Sequence, residues 1–121
     1  MDEAIWDTPV SGQEFGITTT GRKSGKPHRR EVRFYNLDGR LYITGTPGPR
    51  DWYANLRANP QFTVHLKGRV QGDFTARAVP IRGTAQRRQV LSIIYQGRSG
   101  SLGPLEAMLE RSPLIEFHIE S

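Results

Sequence analysis

Six basic residues, Arg22, Lys23, Lys26, Arg29, Arg30 and Arg33, fall within twelve positions and are opposed there only by Glu31. Their local balance of +5 equals the formal net charge of the whole 121-residue chain, because the other eleven basic and eleven acidic residues cancel. Positive charge is therefore concentrated at one place and not spread for solubility. Gly21-Arg22-Lys23-Ser24-Gly25 adds backbone amides at a glycine turn, a hydroxyl and two cations, a donor set suited to phosphate or carboxylate groups. The G-x-x-x-x-G-K-S/T spacing of a Walker loop is missing. A pI near 10.1 admits nucleic acid, an anionic membrane surface or an anionic small molecule as partner, and an exposed, solvated hairpin tip would show the same charge pattern.

Other residue types that do chemistry are sparse. There is no cysteine, which excludes disulfides, thiolate metal sites and a cysteine nucleophile. His28, His65 and His118 lack helical ligand spacing, so no metal is expected. Ser24 and Ser99 have glycine neighbours but stand in no nucleophile-elbow pattern. Glu106 and Glu110 lie four apart on a short helix and read as a solvated face. Trp52 and Leu56 are spaced as core anchors on one helix face, with Trp52 or Asn55 alternatively beside a planar ligand. With no protein-borne nucleophile or acid–base pair, an enzyme built on this chain would rely on a cofactor.

The elements that must position these residues alternate apolar and polar side chains with period two. Phe15, Ile17 and Thr19 mark a first strand, and Arg30 to Leu37 a second. Asp38-Gly39 signals a tight hairpin into a third strand at Leu41, Tyr42 and Ile43. Asp51 is placed to cap a helix that starts near Trp52 and stops at Asn59-Pro60. Phe62, Val64 and Leu66 give a fourth strand and residues 70–81 a fifth. Thr84 is placed to cap a helix with Val90, Leu91 and Ile94 on one side and Arg87 and Arg88 on the other. A Gly/Ser-rich loop over 97–103, a short helix over 105–110 and a strand at Leu114, Ile115, Phe117 and Ile119 follow. The pattern predicts a mainly β domain, a six-stranded barrel with two or three short helices outside it.

Length bounds this to one domain over 1–121, with residues 1–13 an irregular or short helical lead-in. Hydrophobic residues make up only 36% of the chain, so a second subunit or a planar ligand is expected to complete the core. The first residues are acidic and lack an apolar run, so neither a signal peptide nor a stable membrane anchor is expected, and the setting is read as cytoplasmic.

Three stretches, in order, carry a resemblance: Ile17 through Pro27 (ITTTGRKSGKP), Asp38 through Tyr42 (DGRLY) and Asp51 through Pro60 (DWYANLRANP). Together they resemble the deazaflavin-dependent nitroreductase family, which has an FMN-binding-like split β-barrel and uses the reduced deazaflavin coenzyme F420. The resemblance implies hydride transfer to a small electron-poor acceptor such as a quinone, an enone or a nitro compound; the incomplete core of so small a barrel points to a homodimer. The resemblance places Arg22, Lys23, Ser24 and Gly25 against the coenzyme's phosphate and polyglutamate tail, with Arg29 or Arg30 nearby. Thr44, Gly45 and Thr46 would lie along the ring edge, and Trp52 and Asn55 would line the pocket. Relatives often carry a lysine-bearing loop where this chain has Thr46-Pro47-Gly48-Pro49, so Arg50 takes that role. A nitro-activating relative has a tyrosine cluster in its last third; here Tyr95 is the candidate for substrate binding or proton donation. FMN, also anionic, is the alternative cofactor, in an FMN-binding protein or flavin reductase of the same barrel. A nucleic-acid-binding barrel is a lesser alternative, because no regular aromatic interleaving runs through the basic stretch.

Overall fold

Period-two alternation along six strands puts one set of side chains into a shared interior and the other outside. The computed structural model describes residues 13–45, 48–67, 71–97 and 105–120. The lead-in expected at the N-terminus and the glycine-rich loop expected after residue 97 lie outside the described residues, apart from Gln13 and Gly97. Strands β1 (Gln13–Thr20), β2 (Pro27–Leu37), β3 (Arg40–Thr44), β4 (Gln61–Lys67), β5 (Gln71–Pro80) and β6 (Leu114–Ile119) close into an antiparallel barrel in the order β1-β2-β3-β6-β5-β4. Helices α1 (Asp51–Ala58), α2 (Thr84–Gly97) and α3 (Leu105–Arg111) occupy the connections. This is the six-stranded barrel that the alternation predicts.

Phe15, Phe34, Phe62 and Phe117 meet inside, with Phe15 and Phe34 edge to face at 4.8 Å between ring centres. Burying each such side chain is worth roughly 1.5–3 kcal/mol. Trp52 and Leu56, one turn apart on α1, enter the same cluster, so the helix is fixed to the barrel by its apolar face. Asp38 and Gly39 adopt φ of 56° and 88°, the left-handed pair that a two-residue hairpin between β2 and β3 requires.

The outer face is not uniformly wet. Tyr35 and Tyr42 point out of the barrel yet are buried, because Val90, Leu91 and Ile94 of α2 and Met108 of α3 cover them. Here the sequence expectation fails at one residue. Arg87, expected on the polar side of α2 beside Arg88, is only 8% exposed. It precedes Leu91 and Ile94 by four and seven residues, which puts it on the buried stripe. Its guanidinium donates to the carbonyls of Leu109 (2.9 Å), Ile81 (3.2 Å), Met108 (3.1 Å) and Ser112 (2.7 Å). The last carbonyls of α3 have no partners within the helix, and a buried cation there also suits the helix dipole. Desolvation lowers the pKa of this guanidinium from its ordinary value, and the nearby Tyr53 opposes the shift.

Two other boundaries shift. Asp51 is the first helical residue of α1 and caps nothing; Arg50 holds the N-cap position without a side-chain hydrogen bond. Thr84 likewise opens α2, whose first turn closes through Arg87 N–H to the Gly83 carbonyl. Replacing Arg87 with alanine removes four hydrogen bonds to carbonyls, of which Met108 keeps the Ser112 N–H, and is expected to lower unfolding free energy by more than about 2 kcal/mol. Arg88→Ala, on the exposed side, should stay within about 0.5 kcal/mol of wild type. Urea denaturation of both variants decides this: equal losses would show that Arg87 is no special tie.

Candidate functional site

The β1–β2 turn is closed by two backbone bonds, Gly21 N–H to the Lys26 carbonyl (2.8 Å) and Gly25 N–H to the Gly21 carbonyl (2.9 Å). Gly25 has φ of 71°, a conformation that favours glycine. A Cβ at Gly21 would meet His28 Nε2 and Ser24 Oγ at 2.7 Å each, so those two exposed side chains would have to shift to admit it. Ser24 Oγ also accepts the Lys26 N–H at 3.1 Å.

Asn55, projecting from α1 and 3% exposed, locks this turn to the helix. Its Oδ1 accepts from the Arg22 backbone N–H (3.1 Å) and from Arg22 Nη1 (2.9 Å), and its Nδ2 donates to Thr19 Oγ1 (3.2 Å). Arg22 Nη2 also stands 3.6 Å from the exposed carboxylate of Asp51. Between turn and helix lies a cleft of about 210 Å³, bounded by Arg22, Lys23, Ser24 and Arg30 on one side and by Trp52 and Asn55 on the other. A second cleft of about 460 Å³ shares Arg22, Arg30 and Trp52 and extends to Pro49 and Arg50.

Strand alternation sorts the cations. β2 starts at Pro27, earlier than the expected Arg30, because it pairs with β1 from Thr20 onward. Arg30 opposes Ile17, whose side chain points into the barrel, and so faces the cleft at the barrel's end. Arg29 opposes Thr18 on the outer face, lies over Gly16 and stands 3.9 Å from Glu31. The structure thus brings together Arg22, Lys23, Ser24, Arg30, Arg50, Trp52 and Asn55, and leaves Arg29 apart. Gly25 is exposed at the tip and lines neither cleft. Thr44 is buried in the barrel wall, with its hydroxyl donating to the Pro113 carbonyl at 2.6 Å. Gly45 lies beside the Arg50 guanidinium, 3.6 Å from where a Cβ would stand. Thr46 is outside the described residues. Tyr95 lies in α2, which lines neither cleft through its described residues, and its side chain is outside the described set.

Among the wall residues to which sequence reasoning gave no site role are Thr19, His28 and Asp51. Period two would have found His28, since it shares a strand face with Arg30. A donor set of three or four cations, a hydroxyl and an aromatic wall suits an anionic tail attached to a planar group.

The profile of the F420H(2)-dependent quinone reductase family matches residues 9–98. The chain belongs to that family. Its cofactor is coenzyme F420, and the cleft's donor set fits the phosphate and carboxylates of that coenzyme's tail. Solved structures of similar fold include a conserved hypothetical protein from Mycobacterium tuberculosis, at 18% identity and a TM-score of 0.72, covering 100% of this chain and 82% of that one. An F420-H2 dependent reductase matches at 23% identity and a TM-score of 0.57, covering 88% and 93%. A heme storage protein from Vibrio cholerae matches at 17% identity and a TM-score of 0.66, covering 89% and 82%. At these identities the likeness is one of fold, and the barrel alone does not choose a cofactor.

In this F420-dependent reductase, Asn55→Ala removes the acceptor of two Arg22 donors and the partner of Thr19. It should destabilise the fold by about 1–3 kcal/mol and raise amide exchange at residues 21–26. Unchanged exchange in that turn, measured by NMR, would show that Asn55 does not hold it.

Proposed function

We propose that the cleft between the β1–β2 turn and α1 holds the anionic tail of reduced coenzyme F420, and that the protein reduces a small electron-poor acceptor such as a quinone, an enone or a nitro compound. The convergence of Arg22, Lys23 and Arg30 with Trp52 on one cleft supports this reading above any other observation. When bound, the reduced deazaflavin supplies a hydride. The chain's own residues bind and orient. Arg22 presents its guanidinium from a position fixed by Asn55. Lys23 adds a mobile point charge, Ser24 a hydroxyl, and Arg30 a second guanidinium from the rigid strand β2. Arg50 extends the positive rim along the adjoining cleft, and Trp52 closes the wall with an indole that is only 7% exposed. A homodimer and a cytoplasmic setting belong to the same proposal.

Fluorescence titration with coenzyme F420 tests the reading, with FMN in parallel. Binding of F420 well below millimolar concentration is expected. Lys23→Ala should weaken it about tenfold or more with little change in melting temperature, since charge-assisted bonds are worth roughly 1.5–3 kcal/mol. Arg22→Ala should weaken it at least as much and also lower stability, because that side chain bonds the buried Asn55. Tight FMN binding with no F420 binding would overturn the proposal.

A further inference from the structure

Behind α1, on the side away from the turn, lies a cleft of about 420 Å³. Four arginines line it, Arg50, Arg57, Arg87 and Arg111, against one carboxylate, Glu110. The Arg57 guanidinium lies over the Tyr53 ring at 5.9 Å, and Arg111 ends α3. Arg87 is the telling member. Four of its five N–H groups are taken by neutral carbonyls, and its charge has no ion pair among the described residues. A buried cation without a counter-charge is costly, and an anion beside it relieves that cost. Ser112, which also lines the cleft, has a buried hydroxyl with no hydrogen-bond partner. The remaining walls are flat and apolar: Pro49, Ala54, Pro113 and the Tyr53 ring.

We propose that this cleft is a second anion site, and that it takes a flat aromatic molecule bearing a carboxylate. The apolar walls and the Tyr53 ring match the flat body, and the arginines match the carboxylate. The cleft meets the coenzyme groove across Pro49, Arg50 and Ala54, which line both. In so far as the coenzyme reading of that groove holds, the second site is where the charged end of the acceptor rests, and acceptors of this enzyme are anionic aromatics.

Calorimetric titration of the full chain without coenzyme tests the site, so its outcome does not depend on F420 binding. The probes are 2-naphthoate, its neutral counterpart 2-naphthamide, and inorganic phosphate. 2-Naphthoate should bind at least about tenfold more tightly than either of the others, the loss expected when a charge-assisted contact is missing. Arg57→Gln and Arg111→Gln, both exposed and outside the coenzyme groove, should each weaken naphthoate binding about tenfold while F420 titration is unchanged. Equal binding of naphthoate and naphthamide overturns the proposal without any variant. So does phosphate binding as tightly as naphthoate, or naphthoate binding that survives both arginine replacements and is lost in Lys23→Ala.

Discussion

The amide of Asn55 is the constraint on which the site depends. A buried amide must find partners for its oxygen and nitrogen, and one left short costs about 1–3 kcal/mol. Here the oxygen takes two donors from Arg22 and the nitrogen gives to Thr19. Those bonds exist for one placement of α1 against the β1–β2 turn. That placement comes from the interior, where Trp52 and Leu56 pack among the barrel's phenylalanines. The position of an exposed cation therefore traces back, through one side chain, to hydrophobic packing.

Arg87 does a parallel task on the far side of the barrel. It joins α2, α3 and the chain leading into α2 through four carbonyls, adding to the backbone bonds that Met108 and Arg111 already accept at the end of α3. The two ties differ in kind. Asn55 is neutral, and its bonds settle its needs. Arg87 brings a charge into a place where only dipoles answer it, and that charge sets the electrostatic character of the space around it.

The strands were legible because one face of each is apolar with period two; Phe15, Ile17, Phe62 and Val64 announce the barrel before any contact is known. The turn and α1 were legible through ITTTGRKSGKP and DWYANLRANP, patterns specific enough to indicate the family. Three things were not. Arg87 carries a polar identity on an apolar stripe, and only its spacing to Leu91 and Ile94 betrays it. Arg29 and Arg30 look alike in a run of cations, and the start of β2 decides which faces the cleft. Asp51 resembles a helix cap, yet the helix opens one residue sooner and leaves its carboxylate near Arg22. Each depends on a partner distant in sequence or on a boundary set by pairing.

That last carboxylate changes what the groove is. Arg22 and Asp51 stand 3.6 Å apart, so the most firmly held cation already has a companion before any ligand arrives. Occupation of the groove is then an exchange, in which an incoming oxyanion competes with an aspartate, and is no simple capture by bare positive charge. Exchange favours groups that satisfy a guanidinium better than one carboxylate does, through two parallel bonds or a second negative charge. Asp51 is exposed and the pair is worth no more than about 1 kcal/mol, so an oxyanion that bonds the guanidinium twice displaces it readily.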